Sequence, residues 1–191
     1  MARPLSFEPQ EKLHQAMLVF WKEGYENVSM NDLSEQLSIN KFSIYKQFGN
    51  KNEFYLKALA HYQDTIFVKL LTPLEDRQGL SSIFRYFENL SDQLSKTSAS
   101  YGCLINNTLL AGKLLPKECT LSARKMVGAL RGLLKENFEV AITNGEIKQN
   151  PQDCVNFTLM NIQALLNTRK TLGPLVMQGN LKFLVRQISA W

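Results

Sequence analysis

Residues 29–51 read SMNDLSEQLSINKFSIYKQFGNK, and their reading decides the fold. Ser29 suits an N-cap, because its hydroxyl can accept a free backbone N–H of a first helical turn. Asp32, three residues on, can reach back to the N–H of Ser29. Leu33 and Leu37 then lie one turn apart on one face. Ser38-Ile39-Asn40 interrupts the helix, and Asn40 caps a second one over residues 41–48. There Ile44 and Phe48 repeat the i, i+4 spacing and point inward, which leaves Lys41, Phe42, Ser43, Tyr45, Lys46 and Gln47 on the outer surface. Two short helices joined by a three-residue turn fit a helix-turn-helix, whose second helix enters the DNA major groove. An ordinary helical hairpin of an all-α protein satisfies the same caps and pairs.

Residues around this stretch carry a resemblance. Phe20, Gly24-Tyr25, Val28-Ser29, Leu33, Ile39 and the run KFSIYKQFGNK over 41–51 resemble the N-terminal domain of the TetR family of bacterial transcriptional regulators. The most specific part is the spacing Tyr-x-x-Phe-x-x-Lys of Tyr45, Phe48 and Lys51. The resemblance covers about residues 6–66 and, more loosely, the length and helical pattern of the remainder. It implies an all-α protein of about nine helices, with a three-helix DNA-binding domain at 6–66 (motif about 29–48) and a helical ligand-binding and dimerisation domain at 67–191. It also implies a repressor that leaves a palindromic operator when a small molecule binds. The residues expected to meet DNA are Ser29, Lys41, Phe42, Ser43, Tyr45, Lys46, Gln47 and Lys51. The family commonly has Gly where this chain has Phe42 and often His where it has Gln47. Both positions lie on the second helix and bear on which operator is read.

Composition bounds the alternatives. The chain has 191 residues, 45% apolar and 20% charged, enough to fold around a core without disulfides or metal. No apolar run reaches membrane-spanning length and no secretion signal opens the chain, so a cytoplasmic location is expected. Cys103, Cys119 and Cys154 are an odd set without CxxC spacing, which indicates neither a disulfide framework nor a zinc site. The net charge of +5 does not sit in the helix-turn-helix half: residues 1–57 hold seven Lys/Arg and seven Asp/Glu. Locally, however, Gln36 to Asn52 contains Lys41, Lys46 and Lys51 and no acid, which suits phosphate contact. His14 and His61 are the two histidines, and no Ser-His-Asp, Cys-His or phosphate-cradling glycine motif accompanies them. No enzyme activity, cofactor or metal is therefore expected.

The rest reads as helices. Residues 1–6 form an arm in which Arg3 either touches DNA or is solvated. A helix over 8–23 ends at Gly24, and one capped by Asn50 and Glu53 runs from 51 to about 71, stopping before Pro73. It is long enough to serve both domains. Further helices are expected at 80–96, 101–111, 119–144 and 151–172, with a last one after Gly173-Pro174. The resemblance implies a pocket among the middle helices, with Tyr86, Phe87, Tyr101, Cys103, Asn106, Phe138, Phe157 and Gln163 as candidates for lining it and an apolar or aromatic effector. Cys103, expected in a first helical turn, would gain thiolate character from the helix dipole, as in family members that sense electrophiles. The last two helices carry an apolar excess. Leu159, Ile162, Leu166, Leu181, Leu184, Val185 and Ile188 are assigned to a homodimer interface, monomer core being the other reading.

Overall fold

A computed structural model describes residues 7–191, so the expected arm and Arg3 lie outside the described residues. Ten α-helical segments follow in order: α1 (Pro9–Glu23), α2 (Met30–Gln36), α3 (Lys41–Phe48), α4 (Lys51–Tyr62), α5 (Val68–Glu75), α6 (Leu80–Ser95), α7 (Leu104–Ala111), α8 (Lys117–Thr143), α9 (Pro151–Thr171) and α10 (Pro174–Ser189). Among the described residues there is no strand, and no helix is long and apolar enough to cross a membrane.

Side chains close the ends of the short helices as their sequence predicts. Ser29 Oγ accepts the Asp32 N–H at 3.2 Å while the Asp32 carboxylate takes the Ser29 N–H at 2.8 Å. These bonds to Ser29 hold the Asp32 carboxyl below its usual range. Asn40 Oδ1 accepts the Ser43 N–H at 2.8 Å, and Asn50 and Glu53 form a second reciprocal box. Between α2 and α3 the chain turns through Ser38, held at φ 53°. The Ser34 hydroxyl donates to Ile39 O at 2.6 Å and the Lys12 ammonium to Leu37 O at 2.8 Å, which fixes α2 against α1. Gly49 has φ 84°, and a Cβ there would run into the Glu53 carboxylate that closes the box.

One expectation about the long helix fails. The rod does not stop before Pro73. Tyr62 passes into a π turn over Gln63–Phe67, where the Val68 N–H reaches Gln63 O, and α5 then continues to Glu75 with Pro73 inside its last turns. The ring forfeits one helix bond. Burial of Leu71, Pro73 and Leu74 at the junction with α6 outweighs that loss. With α4 and α5 joined, the ten segments make nine rods.

The N-terminal helices share an aromatic core. Phe48 stacks on Phe54 with ring centroids 4.2 Å apart, and Phe20 meets Phe54 and Tyr55 edge-on. α4 packs on α1 and on α8, so the same rod enters both cores. Farther along, two polar side chains tie helix ends together. Asn137 Nδ2 donates to Leu74 O at 2.8 Å, and the buried Arg169 guanidinium donates to Leu94 O at 2.7 Å, neutralising the carbonyl end of α6.

Candidate functional site

The outward face of α3 is polar at its edges and aromatic at its centre. Ile44 and Phe48 are buried, as their spacing predicts, and the capped backbone fixes which side chains remain outside. Phe42 is 77% exposed, so it does not pack on its own α1. Tyr45 is 50% exposed one turn on, with Lys41 and Lys46 exposed beside them. Neither lysine forms an ion pair among the described residues. Ser43 and Gln47 are half-buried at the margins, and Ser29 is exposed, its Oγ accepting two backbone N–H groups. Lys51 differs: its ammonium lies 4.1 Å from the centroid of the Tyr25 ring, a cation–π contact that fixes its position at the start of α4. Tyr25 in turn hydrogen-bonds Asn52.

A cavity of about 300 Å³ lies behind this unit, walled by α1, α4 and its π turn, α6, α7, α8 and α9. Of the residues expected to line it, Tyr86, Cys103, Asn106 and Gln163 do. Phe87, Tyr101, Phe138 and Phe157 do not. Phe87 is buried beside Tyr86, Tyr101 meets the Trp21 ring edge, and Phe138 and Phe157 pack on Trp191. Aromatic residues in a bundle are drawn to one another, and that attraction decided their place. Three residues assigned to a dimer, Leu159, Ile162 and Leu166, face this cavity instead.

Sequence reading also missed Trp21, Tyr62 and Arg131 on its wall. The Trp21 indole N–H needs a partner and finds Gly102 O at 3.0 Å. Its ring meets Tyr62 edge-on at 5.0 Å, which links α1, α4 and the loop before α7. A signal for Arg131 was present, a cation within the apolar run from Met126 to Leu134.

The remaining dimer candidates also have places within the chain. Leu181, Leu184 and Ile188 are buried within the chain and Val185 is half-buried against the same core. The single apolar stripe of α10 is the one that faces α9 and α6. Exposed on these helices are Leu172, Leu175, Val176 and Phe183, with Leu175 82% accessible.

Cys103 departs from expectation as well. A 3-10 turn over Thr97–Tyr101 and Gly102 precede it, and it is the N-cap of α7 rather than a residue of its first turn. Neither Ser98 nor Ser100 caps the helix. Burial pushes its thiol up; N–H groups of Asn106 and Ile105 and the Tyr62 hydroxyl, 3.6 Å from Sγ, pull the other way without prevailing. Burial and Glu118 push Cys119 to about 11, and Cys154 is raised beside Asp153. His14 Nδ1 and His61 Nε2 lie 3.1 Å apart across α1 and α4. Among the described residues no cluster of three or more His, Cys, Asp or Glu could hold a metal ion.

Comparison with known proteins agrees with this arrangement. Residues 13–58 match the family model described as bacterial regulatory proteins, tetR family. The HTH-type transcriptional repressor ComR of Escherichia coli (strain K12) is 31% identical over 108 residues, 55% of this chain and 51% of its own length. The uncharacterized HTH-type transcriptional regulator YezE of Bacillus subtilis (strain 168) is 28% identical over 113 residues, 57% of each chain. The chain thus spans about half the length of the curated relatives it matches. A cysteine mutant of the TetR family transcriptional regulator CifR, solved with 26 bp double-strand operator DNA, superposes with a TM-score of 0.78 at 25% identity, covering 99% of this chain and 100% of that one. The capped helix-turn-helix and these matches give residues 13–58 a TetR-type N-terminal domain and the chain the all-helical fold of TetR-family regulators.

Proposed function

We propose that the protein is a sequence-specific transcriptional regulator, a repressor, that binds a palindromic operator as a homodimer and leaves it when a small molecule enters the cavity. The observation that carries this is the face of α3: two exposed aromatic side chains flanked by two cations free of ion pairs, on a helix whose caps hold it rigid. In this reading residues 6–66 form the DNA-binding domain and 67–191 the ligand-binding and dimerisation domain. Lys41, Lys46 and Lys51 hold phosphates; Ser29, Ser43, Tyr45 and Gln47 contact phosphates or base edges; Phe42 meets a thymine methyl. The exposed surface of Leu172, Leu175, Val176 and Phe183 is the dimer face. Trp21 couples the two activities, since it lines the cavity and belongs to the helix that braces α2 and α4. A ligand that prefers one position of Trp21 and Tyr62 shifts the spacing of the two heads. ComR is named a repressor and CifR was solved on operator DNA, and both support the reading.

Footprinting on DNA from upstream of the protein's own coding region tests it. Two protected half-sites related by two-fold symmetry, about 34–36 Å apart or a multiple of that, are expected. A helical interaction module that has lost DNA binding would protect nothing at any salt concentration.

Cys103 supports a second reading, a thiol-based sensor, because it lies on the cavity wall. Its thiol would add to an activated alkene: sulfur bonds to the β-carbon and the proton ends on the α-carbon. Burial keeps the resting thiol protonated, so the electrophile must be apolar enough to enter. DNA release by such a reagent, lost in Cys103→Ser, is the result this reading requires.

A further inference from the structure

The cavity has two chemically distinct ends. Arg131, Asn156, Met160 and Gln163 line it and are exposed, so they mark its mouth between α8 and α9. Tyr62, Tyr86 and Trp21 line it and are buried, so they mark its floor. Most of the wall between is aliphatic, and no Asp or Glu lines the cavity.

Both ends hold polar groups. The Arg131 guanidinium donates to Asn156 Oδ1 at 3.1 Å and meets no carboxylate among the described residues. An Arg carries five donors, so one neutral acceptor leaves most of them free. At the floor, Tyr62 is engaged with Cys103 and the neighbouring core Tyr55 with Thr108. Tyr86 is 1% exposed and lines the cavity beside Tyr62. A cationic ligand would find no counter-charge in this wall and would meet Arg131 at the entrance.

We infer that the cavity takes an amphipathic anion: an apolar body fills the interior, a carboxylate or similar head stays at the mouth on Arg131, and an acceptor on the body receives the Tyr86 hydroxyl. This rests on the cavity being the effector site and adds the chemical class of its occupant. A volume of about 300 Å³ restricts the body to a small chain or ring system.

Calorimetric titration of the full-length protein with decanoate, decanol and decylamine reads the charge preference without DNA. Decanoate should bind about fivefold tighter than decanol, the size of a partly exposed ion pair, and decylamine weaker than either. Arg131→Gln should bring decanoate down to decanol and leave decanol unchanged, while Arg131→Lys restores the preference. Arg131 is exposed, so an unchanged melting temperature verifies that the variants fold. Tyr86→Phe should remove the advantage of ω-hydroxydecanoate over decanoate. Equal or tighter binding of decanol or decylamine, or a preference that survives Arg131→Gln, overturns the inference. Failure of all three probes to bind overturns it as well. Decanoate binding without release of operator DNA would uphold the ligand class and sink the effector role, so the two claims fail separately.

Discussion

In the proposed function Phe42 holds the position on α3 that decides which sequence is read. It is among the most exposed large apolar side chains of the described residues and stands free to meet a base edge. Phe42→Gly should therefore change the preferred bases with little loss of salt-dependent affinity; a selection from random DNA that returns the wild-type site would remove Phe42 from readout. Lys51 carries a different expectation. Its ammonium rests on Tyr25, so Lys51→Ala should weaken all DNA alike and lower the salt slope by about one, and binding lost at the cognate site alone would deny it a phosphate. His61 has its proton affinity lowered by partial burial and by His14, with Asp64 opposing. The unfolded chain then takes up the proton first. Stability should fall as pH drops from the ordinary histidine value of 6.5 to the lower folded value, and stay level above 6.5. Chemical denaturation across that range checks this, and His61→Gln should flatten the profile.

Helices were legible where their ends are local. Ser29-Asp32, Asn40 and Asn50-Glu53 announce three starts, and each makes the bonds its sequence predicts. Ser29→Ala should cost about 1 kcal/mol of stability in urea unfolding, and a value near zero would make the box ornamental. Pro73 misled because its cost is also local, whereas the burial that overrides it comes from α6. The start of α7 misled for a related reason: Ser98 and Ser100 look like caps, but Gly102 at φ 84° places Cys103 there. On α10 Leu181, Leu184 and Ile188 recur at helical spacing as one stripe. Periodicity cannot say whether that stripe meets its own chain or another. The same ambiguity sent Leu159, Ile162 and Leu166 to an interface when they face the cavity. Half of the pocket residues chosen from sequence line it, because aromatic type says that a side chain is inside without saying against what.

At the scale of the whole molecule, α4 and its continuation join the helix-turn-helix to the cavity. The rod carries Phe54 into the core behind α3, and Tyr62 and Ile66 into the cavity wall. The proposed homodimer is the second large-scale feature, and the exposed α10 surface is where we place its interface. Leu175→Glu or Phe183→Glu should yield a folded monomer in sedimentation with much weaker operator binding; a dimer that persists in both would move the interface elsewhere. DNA binding by the outer face of α3 can be followed by fluorescence anisotropy. The wild type and a Lys41→Ala/Lys46→Ala double variant would be titrated onto upstream DNA and onto scrambled DNA at several salt concentrations. The wild type should prefer upstream DNA with affinity falling linearly in log salt, and the double variant should bind far more weakly with a slope smaller by about two. Wild-type affinity retained by the double variant, or no salt dependence in either protein, would contradict the account.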